Sequence, residues 1–264
     1  MGNWRNKFLN FMNKEMWMNK EMKELINNNY PKSFYKYKEI NDYTLDMIKE
    51  GMIWASNPDS FNDPYDCLLD FDAIEVIRGK FRKKNLVQIK EIDKESLKII
   101  THKIEYAMEK IKKEIAIICL SEENNNILMW SHYANNHQGV CFEYDGNEVC
   151  EFSEIYPIVY IKENIDLSES LIDIDPHGIQ KKIMIKSSVW EYEKEWRIIL
   201  NNSEPEKSGG LIKFPKIKSI YLGCKTKEED KEKIIALAKE KGINVYQMKM
   251  KRNQFKLEYS EINI

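Results

Sequence analysis

The sequence predicts an α+β fold: a single domain on a central, mostly antiparallel β-sheet with scope to split, flanked by helices and preceded by an N-terminal helical arm. Three observations carry this. Short runs rich in aromatic and β-branched residues (SFYKYKEI from Ser33, MIWAS from Met52, IAIICLS from Ile115, GVCFEYD from Gly139) are bounded by turn residues and read as strands. Charged segments of helical period lie between them. No repeat or low-complexity linker divides the 264 residues, a length that suits one large domain or two small ones. The expected division is an amphipathic arm over 1–32 and one domain over 33–264, with a helical insertion at about 74–114.

Trp4, Phe8, Met12 and Met16 recur at i+4, and Met22, Leu25 and Ile26 extend the stripe, so residues 3–27 read as one amphipathic helix ended by Asn27–Asn29 and Pro31. Such a stripe is expected to pack on its own domain, with partner docking as the other reading. SFYKYKEI alternates as a strand, aromatics on one side and Lys36 and Lys38 on the other. Asn41 or Asp42 caps a short helix closed by Gly51, MIWAS is a second strand, and NPDSFNDPYD is a turn-rich loop. Residues 74–114 read as two helices, IAIICLS as a buried strand, LMWSHYANNH as a helical turn ended near Gly139, and GVCFEYD as another strand. VCEFSEIYPIVYI is expected to form a hairpin and 165–189 to be helical. WEYEKEWRIIL, from Trp190, reads as a strand that puts Glu191, Glu193, Glu195 and Arg197 on one face. NNSEPEKSGG is a loop, FPKIKSIYLG a strand, KEEDKEKIIALAKEKG a helix ended by Gly242, and INVYQMKM the last strand.

A net charge of −2 argues against a uniformly basic nucleic-acid binder, yet the charge is segregated. Residues 78–114 hold twelve Lys/Arg against six Asp/Glu, and 115–180 hold one Lys against twelve Asp/Glu. That asymmetry can steer an anionic partner, or can simply be a solvated helix beside its acidic neighbour. The five cysteines are widely spaced with no Cys-x-x-Cys pair, as expected of reduced thiols in a cytoplasmic protein, and no segment has the apolar length of a membrane span or signal peptide.

Three islands concentrate polar groups beside aromatics: Lys36 to Asp66, Leu128 to Tyr144, and Lys186 to Arg197. In the first, Trp54, Phe61 and Tyr65 stand beside Asn62, Asp63 and other acceptors, which suits stacking on a base or nicotinamide ring as well as plain turn-making. In the second, His132 lies between Trp130 and Tyr133, while His132 and His137 are five residues apart, the wrong interval for two ligands on one helix face; no metal is expected there. No Gly-x-Gly-x-x-Gly or Walker loop is present, and Cys119 lies in an apolar run that keeps its thiol protonated. Clustered Asp63, Asp66, Glu193 and Glu195 with Lys186 also allow a metal-dependent nuclease, although the restriction-type order of these residues is not met. A non-catalytic pocket for a nucleotide or peptide is the remaining alternative.

Together the islands resemble a bacterial family, domain of unknown function 2971, over roughly residues 33–260. The resemblance rests on Tyr35-Lys36-Tyr37-Lys38, Ser56-Asn57-Pro58 with Phe61-Asn62-Asp63-Pro64, Met129-Trp130-Ser131-His132-Tyr133 with His137-x-Gly139-Val140, and Lys186 with Trp190-x-Tyr192-Glu193-Lys194-Glu195-Trp196-Arg197. More distantly, the order of a basic strand, a short helix, Gly, a strand ending in Ser, and Glu-x-Glu opening an apolar strand resembles ADP-ribosyltransferases, especially the DNA-modifying toxins. This likeness implies NAD as substrate, with ADP-ribosyl transfer to a nucleic acid or protein acceptor, or NAD hydrolysis, in a toxin or antiphage effector. Carried over by position, Lys36 or Lys38 faces the adenosine side and Trp54 and Ser56 hold nicotinamide; Asn62, Asp63, His132 and Tyr133, from the islands themselves, are expected to complete the binding site. Glu195 stabilises the developing ribosyl cation, Glu193 orients or deprotonates the acceptor, and Arg197 holds a carboxylate or a phosphate. Lysine replaces the usual His or Arg on the first strand, and one lysine gives no bidentate fork.

Overall fold

The computed structural model describes residues 3–13, 19–83, 93–175, 177–201 and 209–263. Helices α1 (Asn3–Asn13) and α2 (Lys20–Asn27) precede strand β1 (Ser33–Lys38), helix α3 (Asp42–Glu50) and β2 (Met52–Ser56). Helices α4 (Ala73–Lys83) and α5 (Lys94–Lys113) lead to β3 (Ile115–Ser121), α6 (Ile127–Tyr133), β4 (Val140–Asp145) and α7 (Gly146–Phe152). Short β5 (Tyr156–Pro157) and β6 (Val159–Ile161) come next, followed by α8 (Ser168–Asp173), α9 (Gly178–Ile183) and β7 (Ile185–Ser187). The chain ends with β8 (Glu195–Asn201), β9 (Gly209–Lys213), β10 (Ile217–Leu222), α10 (Glu228–Lys241), β11 (Asn244–Met250) and β12 (Leu257–Ile262).

Local chemistry accounts for most boundaries. The Asn41 side chain accepts from the Thr44 N–H at 3.0 Å and Gly51 closes α3 in the left-handed region, so the cap is Asn41 and not Asp42. Gly242 ends α10 in the same way. Strands β1, β2, β3, β4, β10 and β11 fall where the aromatic and β-branched runs predict.

Five expectations are corrected. The N-terminal stripe is divided between α1 and α2, with Met16 and its neighbours outside the described residues. The proposed hairpin over VCEFSEIYPIVYI is instead helix α7, then β5 against β8 and β6 parallel to β7, because Asp145 caps the N–H groups of Asn147 and Glu148. Residues 165–189 hold two short helices, as expected, but end in β7 and the start of a 3-10 turn. The end of the NNSEPEKSGG loop opens β9, which pairs along β2, and β12 follows β11. Lastly, WEYEKEWRIIL is not one strand: Ser188–Glu193 form a 3-10 turn, Lys194 is left-handed, and β8 starts at Glu195.

The ten-stranded sheet divides into two wings, β12-β11-β10-β4-β1 and β9-β2-β3-β8-β5. Among the described residues only β10 and β11 run parallel within it. Strand β3 gives one whole edge to β8, from Ile115↔Asn201 to Ser121↔Glu195. Its other edge is shared, meeting β1 at Tyr35↔Ser121 and β2 at Ser56↔Ile117. Between those two pairings β1 and β2 diverge, and a cleft opens over Cys119.

Phe34, Phe142, Tyr144 and Ile220 of one wing and Ile53, Ile118, Trp196 and Ile198 of the other form one core with Phe8, Phe11, Met12, Met22 and Ile26. Burial of each such side chain contributes about 1.5–3 kcal/mol. The N-terminal stripe thus packs on its own domain. Arg5 fastens it, donating to the Ile158 carbonyl and the Glu122 carboxylate at 2.5 Å each, while Trp4 lies 5.7 Å from Trp196. By contrast the 20-residue α5 has no buried residue, so the basic segment is mostly solvated helix. Among the described residues no helix is long and apolar enough to cross a membrane.

Candidate functional site

The cleft at the split encloses about 710 Å³, within the roughly 300–1,000 Å³ of small-molecule sites. Its walls come from β1 and Glu39, Ser56 of β2, the loop through Phe61, Asn62 and Asp66, the C-terminal end of β3, α6 with Asn135 and Asn136, and the stretch from Lys186 to Arg197.

Its floor is a buried charge network. The Arg197 guanidinium has no exposed surface and is forked to Asp66, with Nη1 to Oδ1 at 2.8 Å and Nη2 to Oδ2 at 2.6 Å. Its Nε and Nη2 also donate to Glu195, at 2.7 and 3.0 Å, and Nη1 donates to the Ile183 carbonyl at 2.7 Å. Lys186 Nζ sits among three carboxylates: Glu193 at 2.5 Å, Asp66 at 3.2 Å and Glu195 at 3.2 Å. Phe61 lies under Arg197 and Trp190 beside Lys186. Burying a charge costs several kcal/mol and is offset only by such pairing.

Two different devices deliver the two glutamates. Glu195 and Arg197 are i and i+2 on β8 and share its face. Glu193 arrives through the 3-10 turn, which is fixed by Ser121 Oγ donating to the Glu193 carbonyl at 2.7 Å and Asn126 Nδ2 donating to the Tyr192 carbonyl at 3.0 Å. Its carboxylate accepts from Tyr133 Oη at 2.5 Å as well as from Lys186. The Glu195 N–H donates to Tyr160 Oη at 2.8 Å.

These surroundings drive the carboxyls apart. Burial and the charge of Glu195 push Glu193 up to about 7, against the pull of Lys186. Burial opposes ionisation of Glu195 too, but Arg197 and Lys186 overcome it and hold that carboxyl well below its usual range. For Lys186 burial is outweighed by its carboxylates and the ammonium is held more firmly protonated. On the opposite wall burial lowers Lys36, and burial with the neighbouring Lys36 lowers Lys38 to about 8. Lys36 Nζ crosses the split to donate to the Cys119 carbonyl at 2.9 Å, a group that β1 and β2 leave without a ladder partner. Burial pushes the thiols of Cys67 and Cys119 up, as the apolar run around Cys119 predicts.

Of the residues singled out in the sequence, Glu193, Glu195, Arg197, Lys36, Lys38, Ser56, Asn62, His132 and Tyr133 line this one cleft. Trp54 and Asp63 do not. The Trp54 ring lies 5.0 Å from that of Tyr43, with the Lys38 ammonium, which does line the cleft, 5.9 Å from it. Asp63 builds a turn, its side chain accepting from the Tyr65 N–H at 2.9 Å and its carbonyl from the Asp66 N–H at 3.1 Å. The turn presents Asp66, which the sequence attached only to the nuclease alternative. Nothing local to Asp66 announces a partner 131 positions away.

The rim beside Lys38 is a run of three left-handed residues, Asn135, Asn136 and His137. It is held by the His137 N–H on the Trp130 carbonyl at 3.1 Å and the Gly139 N–H on the Ala134 carbonyl at 2.8 Å. A Cβ on Gly139 would collide with the Lys38 carbonyl, which explains a glycine at that position.

A family model described as "Protein of unknown function (DUF2971)" matches residues 129–198. The matched stretch runs from α6 through Lys186, Glu193, Glu195 and Arg197, and so covers one wall and most of the floor of the cleft. No curated protein and no solved structure matches the chain.

Proposed function

We propose that the cleft breaks the nicotinamide–ribose bond of NAD and passes the ADP-ribosyl group to an acceptor, or to water. The observation that carries the proposal is the pair of carboxyls on the cleft floor, Glu195 held ionised and Glu193 poised near neutrality. As the C1′–N bond breaks, its electron pair leaves with nicotinamide and positive charge develops on the ribose. The fixed anion of Glu195 favours that charge in a site shielded from water. The acceptor O–H attacks C1′ and its proton passes to the Glu193 carboxylate, whose raised pKa suits a general base at neutral pH. Arg197, enclosed by Asp66 and Glu195, holds the carboxylates and not a phosphate. Lys36 and Lys38 supply cationic charge for the pyrophosphate, and the exposed ring of His132 lies on the cleft wall beside Tyr133. A reaction of this kind suits a toxin or antiphage effector.

Release of nicotinamide from NAD by the purified chain tests the proposal. Glu195→Gln is expected to slow it by about a hundredfold or more, in the range lost with one electrostatic stabiliser. Full turnover by that variant would falsify the role given to Glu195.

A metal-dependent nuclease keeps some support because Asp66, Glu193, Glu195 and Lys186 do meet. However, Arg197 and Lys186 already engage the carboxylate oxygens that Mg²⁺ would need, and Asp63 lies outside the cluster. Cleavage of nucleic acid abolished by EDTA would favour this reading over NAD chemistry.

A further inference from the structure

Strand β1 is antiparallel to β4, β4 is antiparallel to β10, and β10 is parallel to β11. The C-terminal ends of β1, β10 and β11 therefore lie along one edge of the sheet, with Lys38, Val140, Leu222 and Gln247 in register. Lys38 belongs to the cleft. Beyond β11 the chain makes the tip Lys251-Arg252-Asn253-Gln254-Phe255-Lys256 before returning as β12, and every one of these residues is exposed. Phe255 is fully exposed, the tip has three cations and no acidic residue, and Lys249, at its base, faces Glu258 across the hairpin.

The loop after β10 fills the space between tip and cleft. It carries exposed Lys225 and Lys227, and among the described residues neither these nor the three tip cations form an ion pair. The loop is bonded to both neighbours. Lys225 N–H donates to the His137 carbonyl at 2.9 Å, on the cleft rim, and Gln247 Nε2 of β11 donates to the Gly223 carbonyl at 2.8 Å. A Cβ on Gly223 would collide with the His137 carbonyl, so rim and loop are pressed together. Three strand spacings, about 14 Å, separate β11 from β1 across the sheet, and the tip extends beyond the end of β11. On the same hairpin the rings of Tyr246 and Tyr259 lie 5.4 Å apart, and Tyr259 is half exposed.

We infer that this edge, from Phe255 through Lys251, Arg252, Lys256, Lys225 and Lys227 to Lys38, binds a single strand of nucleic acid and leads it into the cleft. A row of cations ending at a cleft fits a linear polyanion, and exposed aromatic rings beside the row fit unpaired bases, which stack without regard to sequence. The surface stands independently of the reaction proposed above; only its naming of the acceptor rests on that reading.

The test is fluorescence anisotropy of labelled single-stranded DNA and RNA oligonucleotides with the full chain over a range of salt. Five phosphate contacts, one for each of Lys251, Arg252, Lys256, Lys225 and Lys227 outside the cleft, predict a log–log salt slope of about −3.5. Lys251→Ala/Arg252→Ala/Lys256→Ala is expected to weaken binding at least tenfold and to flatten the slope by about 2, and Phe255→Ala to weaken it about tenfold. Lys98→Ala/Lys103→Ala on solvated α5 is expected to leave binding unchanged. The tip is exposed, so its variants are expected to keep the wild-type melting temperature and nicotinamide release without oligonucleotide; these readouts separate failure of the surface from failure of the reaction. Wild-type affinity in the tip variants, loss only in the α5 variant, or binding only to phosphatidylserine vesicles would overturn the inference.

Discussion

Glu143 and Glu193 are both buried, and each accepts from a tyrosine and a lysine. Glu143, on β4, takes Ser33 Oγ at 2.7 Å, Tyr221 Oη at 2.8 Å and Lys218 Nζ at 2.8 Å. Burial raises its carboxyl, but those three donors prevail and hold it below the usual value. Glu193 has Tyr133 and Lys186 at 2.5 Å, yet it is pushed up to about 7. The difference lies in the neighbours of the donors. Lys218 makes its close ion pair with Glu143, whereas Lys186 is divided among Asp66, Glu193 and Glu195, and Glu195 repels a second negative charge. A saturated glutamate is a structural tie; one that shares its cation is a proton carrier in waiting.

The most severe way to break this contrast is to remove Arg197. Arg197→Met leaves Asp66 and Glu195 buried with only Lys186 to balance them, and a loss of about 3–5 kcal/mol is expected in urea unfolding. Next, Glu195→Gln removes the like charge. The Glu193 carboxyl should then titrate below 7, as followed by carbon-detected NMR of the side chain; an unchanged midpoint would mean that burial alone raises it. In the intact protein the transfer rate should climb as pH rises through about 7, as Glu193 becomes a base, and Glu193→Gln should flatten that rise. Stability should move the other way. The raised Glu193 contributes stability that is complete below the unfolded value of 4.5 and lost as pH rises through about 7. The lowered carboxyls of Glu143 and Glu195 contribute stability present above 4.5 and lost as pH falls below it. Glu193→Gln should therefore abolish the decline between pH 4.5 and 7, measured by denaturation at each pH.

How much of this could be read in the sequence depended on whether the controlling interaction was local. The aromatic and β-branched runs of β1 to β4 and the caps at Asn41, Gly51 and Gly242 are short-range, and they were legible. Strand β9 was not, since Gly209 and Gly210 have no strand preference and extend only because the edge of β2 offers partners. The Trp190–Glu193 stretch imitates a strand by its aromatic alternation, and ties to residues distant in sequence, Ser121 and Asn126 among them, hold it as a 3-10 turn. That correction brings Glu193 to the Lys186 ammonium without the row of carboxylates that a continuous strand predicts. Likewise Tyr133, Glu193 and Glu195 were legible as a rare mixture of acid and aromatic residues, while Asp66 and its fork to Arg197 depend on tertiary pairing.

The smallest expected effect belongs to Lys218. Its side chain is half exposed, so water and salt screen its attraction for Glu143, and Lys218→Met should cost less than about 1 kcal/mol. Ser33 and Tyr221 remain as donors, so Glu143 should stay ionised at neutral pH. What small loss there is should fade in 1 M salt, where charges are screened within about 3 Å. Lys186→Met, by contrast, leaves Asp66, Glu193 and Glu195 facing Arg197 alone, and because these side chains are buried salt screens them much less, so the cost should largely persist at high salt and Glu193 should rise further. Equal costs for the two lysine substitutions, or equal sensitivity to salt, would mean that the shared cation is not what distinguishes the cleft from the Glu143 site.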